Sequence, residues 1–471
     1  MKCFAKFLAL CVALACINAI PLPGFECPPA DQIYPCTCSE FPRKMVKCDD
    51  VMNLDIVRRA LEYRFPSPLP SLEITNVHTS QLPHQAFRNI AAKKLVLNGS
   101  NIRRIHDDAF DGQNSLALLV LSEDRITEFP TEALKRLPEL RSLSLARNFI
   151  MKISDESIGN HPNLRNLVLI DNRLSNIEKH AFPRTLRSLS LSNNLLTSLN
   201  KTLHHISKLD SFYASSNRLT SVEEEFRGLN SLENLHLENN NIFDITASFD
   251  DLTSLRSLNL AYNKLENIEE GIYPLKKLQK LNVSYNYITD IDEDLFKSLS
   301  TIETLDLSGN YLRNVCPVLK PLKDLKRLML SNTNIDSLSL DCFKGMKNLQ
   351  HLDLSQNDLT NIDAITGHSF ARMVNLNLQG NRLQFFRYGL KNLRNLDKLD
   401  VRDNDLTTIK AHQFTHNTRL TVFNVGGNPW DCSDSLLQIF DALESRRVKL
   451  IGPPPCYRQD TANALNFDTT R

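Results

Sequence analysis

The sequence has little glycine, only 14 residues in 471, and neither charge is in excess, since 55 basic residues face 54 acidic ones. Scarce glycine argues against glycine-rich phosphate loops, and neither H-E-x-x-H nor G-x-S-x-G occurs. Balanced charge gives no general attraction to nucleic acid or acidic membranes. We therefore expect a binding protein rather than an enzyme, with no cofactor, metal or nucleic-acid partner. His204 and His205 are interpreted as a solvated surface pair.

Long hydrophobic runs are also absent outside the N-terminus, so no segment is expected to span a membrane. Residues 1–19 contain an early basic pair, Lys2 and Lys6, then a short apolar run and a small residue, Ala19. This order is typical of a secretory signal peptide; a bacterial lipoprotein signal ending at Cys16 is the alternative. Residues 457–471 form a short polar tail without an anchor, so we expect a secreted, extracellular protein.

Cysteines are concentrated toward the two ends of the chain. Three lie in the signal peptide, and the remaining eight are Cys27, Cys36, Cys38, Cys48, Cys316, Cys342, Cys432 and Cys456. An even number in an exported chain predicts disulfides, whereas zinc is disfavoured because Cys36 and Cys38 lack the usual ligand spacing. Cys316 and Cys342 lie in adjacent repeats and are expected either to bridge them or to remain buried thiols.

The chain repeats one short pattern many times. Residues 255–265 read LRSLNLAYNKL, and residues 278–288 read LQKLNVSYNYI. The position two residues before the last apolar residue is called the anchor here, and adjacent anchors are 22 to 24 residues apart. Twelve of the sixteen anchors are asparagine, which with the pattern L-x-x-L-x-L defines a leucine-rich repeat. The anchors are Val77, Ser100, Asp124, Asn148, Asn172, Asn194, Asn217, Asn240, Asn263, Asn286, Asn310, Thr333, Asn357, Asn381, Asn404 and Asn428.

This repeat predicts an α/β solenoid. In L-x-L both leucines point to the same side of a short strand, so stacked turns bury a column of leucines behind a parallel sheet. The anchor amide can both donate to and accept from backbone groups inside the coil. We expect a curved horseshoe with the sheet on its concave face and short 3₁₀ or extended segments on its convex face. Two core rows are predicted: Leu143, Leu167, Leu189, Phe212, Leu235, Leu258, Leu281 and Leu305; and Phe87, Phe110, Phe182, Phe296, Phe343 and Phe414.

A solenoid needs caps at both ends. Residues 20–68 are expected to form an N-terminal cysteine cap, residues 69–428 about sixteen repeats, and residues 429–456 a C-terminal cap. In the last segment Leu436, Phe440 and Leu443 share one helical face that is able to close the leucine column. Trp430 replaces the final leucine of its repeat and is interpreted as packing within this cap.

With these caps the chain resembles animal extracellular leucine-rich repeat proteins, the group containing Toll ectodomains, Slit and chaoptin. The segment CPPADQIYPCTC with Cys48 is similar to secreted arthropod proteins related to the non-catalytic subunit of shrimp luciferase. The resemblance implies pairing of Cys27 with Cys38 and of Cys36 with Cys48. It leaves Cys432–Cys456 for the back cap, where DCSD lacks the family's second cysteine. It also implies binding of an extracellular protein or glycan-bearing partner in recognition, adhesion or innate immunity, or alternatively a non-catalytic scaffold role in a secreted enzyme complex.

We expect a partner, or a second copy of the chain, to bind the concave face. One hypothesis is an aromatic stripe, in which Tyr213 and His236 share one strand position and Tyr262 and Tyr285 share another. The other hypothesis is an apolar front patch of Val96, Leu118, Val120, Val168 and Ile170. Three N-glycosylation sequons begin at Asn98, Asn200 and Asn282, of which Asn98 and Asn282 are predicted to face inward and Asn200 to lie on the outer connector.

Overall fold

The computed structural model describes residues 25–457, except residues 63, 66, 67, 156, 369 and 388. The predicted signal peptide and all but the first residue of the polar tail lie outside this range. The chain divides into two compact units. The first runs as far as Ile242 and includes Ala247–Ser254; the second comprises Phe243–Thr246 and the chain from Leu255 onward.

The first unit is built on a parallel sheet with one strand per repeat. Strands β2, β3, β5, β7, β8, β10, β12, β13 and β14 pair in that order, and β1 is antiparallel to β2. Two small parallel pairs, β4–β6 and β9–β11, lie apart from this sheet. The strands are β1 Thr37–Ser39, β2 Met45–Asp49, β3 Leu72–Thr75, β4 Gln81–Leu82, β5 Lys94–Asn98, β6 Arg104–Ile105, β7 Leu118–Ser122, β8 Ser142–Ser144, β9 Lys152–Ile153, β10 Asn166–Val168, β11 Asn176–Ile177, β12 Ser188–Ser190, β13 Ser211–Tyr213 and β14 Asn234–His236.

The second unit has the same plan. Strands β15 to β23 pair in parallel in chain order, each in register with the next. They are β15 Ser257–Asn259, β16 Lys280–Asn282, β17 Thr304–Asp306, β18 Arg327–Met329, β19 His351–Asp353, β20 Asn375–Asn377, β21 Lys398–Asp400, β22 Val422–Asn424 and β23 Lys449–Ile451. The predicted α/β repeat solenoid with a parallel sheet is therefore confirmed.

The anchor asparagines hold consecutive turns together as the sequence predicts. The Nδ2 of Asn148 donates to three carbonyl oxygens, those of Leu121, Leu145 and Ala146, at 2.8 to 3.3 Å. Its Oδ1 accepts from the backbone N–H of Ile126 in the preceding repeat. One buried side chain thus pairs four backbone groups that the sheet does not use, each of which would cost about 1–3 kcal/mol if left unpaired.

The core consists of the two predicted rows. Every member of the leucine row and of the phenylalanine row is at most 2% exposed. Opposite the sheet the connectors contain extended residues, a 3₁₀ helix and single helical turns, so the prediction of 3₁₀ and extended segments omitted short α-helices. The helices of these connectors are α2 Thr131–Lys135, α3 Glu269–Ile272, α4 Cys316–Leu319, α5 Asp363–Thr366 and the 3₁₀ helix Ala411–Phe414.

A cap adjoins the repeats on each side within the described residues. The N-terminal cap has a 3₁₀ helix, Ala30–Gln32, and helix α1, Leu54–Leu61, which begins where Asn53 accepts a hydrogen bond from the N–H of Ile56. Helix α6, Asp434–Ser445, buries Leu436, Phe440 and Leu443 as predicted. Trp430 packs edge-on against Phe440, with 5.7 Å between the ring centroids, and its Nε1 donates to the carbonyl of Val425.

Four disulfides reinforce this arrangement. The structure pairs Cys27 with Cys38, Cys36 with Cys48, and Cys432 with Cys456, which is the pairing that the resemblance implies for the caps. Cys316 and Cys342 are also bonded, with 4.6 Å between their Cα atoms, and so connect two adjacent turns of the second unit. No helix in the described part of the chain is long and apolar enough to cross a bilayer.

Candidate binding surface

The apolar front patch is smaller than the sequence suggests. Val96 is 8% exposed and Leu118 only 3%, so neither offers surface to a partner, and their assignment to an exposed patch is wrong. Their strands, β5 and β7, are five residues long, and in-register side chains flank both residues: Glu73 and Val120 beside Val96, Lys94 and Ser142 beside Leu118. Only Val120, Val168 and Ile170 remain half-buried.

Tyr213 and His236 are neighbours on the sheet of the first unit. They pair in register at the ends of β13 and β14, and their rings are 5.0 Å apart at a tilt of 36°. Both side chains are half-buried. Burial raises the pKa of the Tyr213 phenol, although a hydrogen bond with Ser211 opposes the shift. His236 also lies 3.7 Å from a carboxylate oxygen of Glu238. This pair presents a polar, mostly covered surface.

Tyr262 and Tyr285 are not on strands, which corrects their predicted position. They lie three residues beyond the ends of β15 and β16, in the turn just before the anchors Asn263 and Asn286. Their φ angles are +56° and +55°, in the left-handed region. The residue before every anchor has this conformation: Asn76, Gly99, Glu123, Arg147, Asp171, Asn193, Ser216, Asn239, Tyr262, Tyr285, Gly309, Asn332, Gln356, Gly380, Asp403 and Gly427.

This shared conformation makes the two tyrosines unusual. A left-handed φ suits glycine and asparagine, which fill half of these sixteen positions, whereas a bulky side chain there strains the backbone. Tyrosine occurs at this position only in two consecutive turns. A strained backbone at a surface side chain is a reason to suspect a function for that side chain.

The two rings form a stacked pair. Their centroids are 4.4 Å apart, and their planes differ by 5°. The next turn has Gly309 at the equivalent position, and a Cβ atom there would lie 2.5 Å from Cδ1 of Tyr285. Glycine thus provides both the left-handed φ and the space that the Tyr285 ring occupies. Tyr262 and Tyr285 nevertheless stay 49% and 40% exposed.

Two more exposed tyrosines lie in these turns, on the other side of the anchors. Tyr287 and Tyr311 directly follow the anchors Asn286 and Asn310 and are 52% and 55% exposed. The two turns are joined here, because Oδ1 of the anchor Asn310 accepts from the N–H of Ile288, two residues beyond the anchor Asn286. We call Tyr262, Tyr285, Tyr287 and Tyr311 the tyrosine edge. Sequence reasoning missed the last two, although their placement beside an anchor was visible in YNY and GNY.

A row of short polar side chains runs along the sheet beside the tyrosine edge. At the ends of six strands of the second unit an Asn or Asp accepts from the N–H two residues later, as Asn282 does from Ser284 and Asp306 from Ser308. Burial raises the pKa of the Asp306 carboxyl, while its bonds with Ser308 oppose the shift. Desolvation, Tyr285 and the charge of Asp306 together raise the pKa of the Tyr262 phenol.

The three sequons differ in accessibility. Asn98 is the last residue of β5 and is half-buried. Asn200 is exposed, and its Nδ2 donates to Oδ1 of Asn176 and to the carbonyl of Ile177. Asn282 ends β16 on the sheet, where its Oδ1 is the acceptor for Ser284, so a glycan on Nδ2 leaves that bond intact.

The adjacent histidines predicted as a solvated pair both contact backbone. Nε2 of His204 is 2.5 Å from the carbonyl oxygen of Glu224, and Nε2 of His205 is 2.7 Å from that of Phe182. His204 and His205 therefore help to join consecutive connectors, and neither belongs to a group of three metal-ligating side chains among the described residues.

Stacked parallel strands joined by buried anchor side chains define a repeat scaffold with an exposed edge. The family profile described as leucine rich repeat matches residues 90–150, 162–219, 215–265, 230–288, 276–318 and 323–383, more than half of the chain. The chain belongs to the leucine-rich repeat family. Over 130 residues it is 40% identical to leucine-rich repeat-containing protein 3 of Danio rerio. That match covers 27% of the chain and 44% of the relative, so the chain spans less than half of this protein.

Solved structures of the same fold come from several different organisms. A leucine-rich repeat protein of Leptospira interrogans superposes with a TM-score of 0.71 at 26% identity, over 80% of this chain and 94% of the other. Toll, in its glycosylated complex with Spatzle from Drosophila, superposes with a TM-score of 0.67 at 18% identity. The superposition covers 87% of this chain and 62% of Toll. The third structure is the ectodomain of an Arabidopsis thaliana receptor kinase, GASSHO1/SCHENGEN3, in complex with Casparian strip integrity factor 2. It superposes with a TM-score of 0.57 at 23% identity, over 82% of this chain and 50% of the ectodomain.

Proposed function

We propose that this protein is a secreted, non-catalytic recognition protein whose tyrosine edge binds an extracellular protein. The observation that carries the proposal is the stacked pair of Tyr262 and Tyr285, held exposed on strained backbone. Tyrosine is favoured at binding surfaces because it supplies a large apolar area and a polar tip at low entropic cost. A side chain kept at a cost to the fold is best explained by a contact made outside the fold.

The setting of the pair supports a protein partner. Four tyrosines in three consecutive turns provide an apolar centre, and the Asn and Asp side chains of the neighbouring strands provide a polar rim. Protein interfaces commonly combine these two features. Toll and the plant receptor kinase ectodomain share the fold and are bound to Spatzle and Casparian strip integrity factor 2 in their structures. Secretion is supported by the four disulfides, which persist in oxidising compartments.

Two alternatives of the sequence analysis remain distinguishable by experiment. A scaffold role in a secreted enzyme complex rests on the resemblance of the N-terminal cap alone. Self-association through the half-buried Val120, Val168 and Ile170 would use the first unit instead of the second. We also propose Asn98, Asn200 and Asn282 as glycan acceptors; a glycan at Asn282, three residues before Tyr285, would narrow the access of a protein to the tyrosine edge.

Capture from native secretions tests the proposal. Wild-type bait is compared with a bait carrying Tyr262→Asn and Tyr285→Asn, which places asparagine where four other turns already have it. Tyr34→Ala, which removes an 81% exposed tyrosine of the N-terminal cap, is the control. We expect one stoichiometric protein on the wild-type and control baits and its loss from the double variant. Equal recovery on all three baits would contradict the proposal, and a stoichiometric enzyme would favour the scaffold role.

A further inference from the structure

The connectors of the first unit bring two histidines and one aspartate together. His84 follows strand β4, and His106 and Asp108 follow strand β6. These two strands pair in parallel, Leu82 with Ile105, so residues of consecutive repeats become neighbours. The imidazole rings of His84 and His106 meet edge to face, with 5.5 Å between their centroids.

The carboxylate of Asp108 lies between the two rings. Its Oδ1 is 2.5 Å from Nδ1 of His106, and its Oδ2 is in direct contact with Nδ1 of His84. The side chain of Asp108 is 16% exposed, whereas those of His84 and His106 are 63% and 47% exposed. The cluster therefore has one covered carboxylate and two imidazoles that are open to solvent on one side.

The backbone below the cluster is fixed by the fold. The N–H of His106 donates to the carbonyl of Leu82, and the N–H of Asp111 donates to that of Asp108. Beneath these turns the buried rings of Phe87 and Phe110 stack at 6.0 Å. This rigid backbone holds the three side chains close to one arrangement, and a fixed arrangement of ligands favours metal binding.

We propose that His84, His106 and Asp108 form a binding site for a divalent transition-metal ion of the zinc class. Each residue offers one ligand atom, and the three atoms lie within 4.8 Å of one another. Tetrahedral zinc places its N and O ligands about 3.3 Å apart, so small side-chain rotations suffice. Two imidazoles and one carboxylate suit zinc, copper or nickel and are a poor set for Mg²⁺ or Ca²⁺, which prefer oxygen ligands. Three protein ligands leave a fourth position for water.

A competing interpretation of the same contacts is an ion pair between the carboxylate and protonated imidazoles. Partial desolvation raises the pKa of Asp108, but hydrogen bonds and charge from His106 and His84 outweigh it and leave the pKa below its ordinary value. An ion pair needs protonated histidines and strengthens in acid, whereas a metal needs neutral ones and is released in acid. The two interpretations therefore make opposite predictions about pH.

Calorimetric titration of the untagged full-length protein with Zn²⁺ at pH 7.5 tests the site. We expect one ion per chain, binding weakened at least tenfold in the double variant of His84→Ala and His106→Ala, and weaker binding for Asp108→Asn. The control is His180→Ala, because His180 and His205 also meet at 5.7 Å but belong to no group of three metal-ligating side chains in the described residues. Thermal unfolding in EDTA verifies that all variants fold.

Two further readouts separate the outcomes. Zn²⁺ should raise the Tm of the wild type and of His180→Ala but not that of the double variant, and lowering the pH to 5.5 should weaken binding. The proposal is overturned if the wild type binds no Zn²⁺, if the double variant binds it as tightly as the wild type, or if His180→Ala loses it equally.

Discussion

Asp124 and Ser100, the anchors of two consecutive turns, are joined by a hydrogen bond of 2.9 Å from the backbone N–H of Ser100 to Oδ1 of Asp124. Asp124 is 4% exposed, and its Oδ2 has no hydrogen-bond partner within the described structure. The next turn has Asn148, whose Nδ2 donates to three carbonyls. An ionised carboxylate has no hydrogen to donate, so Asp124 only half replaces the anchor amide. Burial outweighs the bonds from Ile102 and Ser100 and raises the pKa of Asp124 to about 6.

The first prediction is that Asp124→Asn stabilises the protein at neutral pH. Because the folded pKa lies above the unfolded value of 3.8, the favourable contribution of protonated Asp124 is present below pH 3.8 and is lost as the pH rises through about 6. At pH 7 this pKa shift lowers the free energy of unfolding by about 3 kcal/mol. Urea unfolding at pH 7 should show the variant more stable by roughly this amount, and the difference should shrink toward pH 4.

The exposed Asp107→Asn makes the same chemical change without burial and is the control for this prediction. Equal stability of wild type and Asp124→Asn at pH 7, or a difference that grows in acid, would contradict the assigned role of Asp124.

The second prediction concerns an ordinary anchor of the second unit. Nδ2 of Asn286 donates to the carbonyls of Leu260, Val283 and Ser284, and its Oδ1 accepts from the N–H of Leu265. Asn286→Ala should lower the free energy of unfolding by at least about 2 kcal/mol, because several buried backbone groups lose their hydrogen-bond partner. Chemical denaturation measures this cost. A loss below about 0.5 kcal/mol would mean that water or neighbouring groups replace the amide.

The third prediction is that Cys316 and Cys342 are bonded in the protein isolated without reductant. Peptide mapping without reduction should recover one linked pair and no alkylated thiol at either position. The two cysteines are separated by 26 residues in the sequence, for which chain entropy predicts about 3.5 kcal/mol of stabilisation. The double variant of Cys316→Ala and Cys342→Ala should therefore unfold at lower denaturant concentration. Two separately alkylated cysteines in the map would show that the bond does not form.

The repeat architecture was predictable because its signal is local. The pattern from L-x-x-L to the anchor is completed within one turn. The burial of its leucines and the hydrogen bonds of its anchor amide depend only on the neighbouring turns. Hence both core rows and the buried face of helix α6 were correctly predicted.

Features set by the exact end of each strand were not predictable. The sequence alone placed Tyr262 on a strand, whereas the strand ends at Asn259, whose side chain accepts from the N–H of Ala261 and starts the turn. Burial of Val96 and Leu118 depends on the side chains in register beside them. His84 and His106 are 22 residues apart, and only their one-repeat spacing hinted at contact.

The fourth prediction separates the function of the tyrosine edge from folding. Tyr262→Asn removes a bulky side chain from left-handed backbone, which relieves about 1 kcal/mol or more, and loses a ring stack worth about 0.5–1.5 kcal/mol. Because the two contributions nearly cancel, the free energy of unfolding of the variant should stay within about 1 kcal/mol of the wild-type value. Differential scanning calorimetry should show no large fall in Tm. A clear fall would mean that the stacked tyrosines serve the fold, and their position would no longer point to a partner.

The most direct measurement of the central claim is the affinity of the captured partner for the wild type and for the double variant of Tyr262→Asn and Tyr285→Asn, by calorimetry. Removing two central interface tyrosines should cost at least about 2 kcal/mol, which is roughly a 30-fold rise in Kd, while Tm is maintained. Val120→Glu, in the first unit, should leave Kd unchanged. Undiminished affinity in the tyrosine variant, together with lost affinity in Val120→Glu, would contradict binding at the tyrosine edge and place the interface on the first unit.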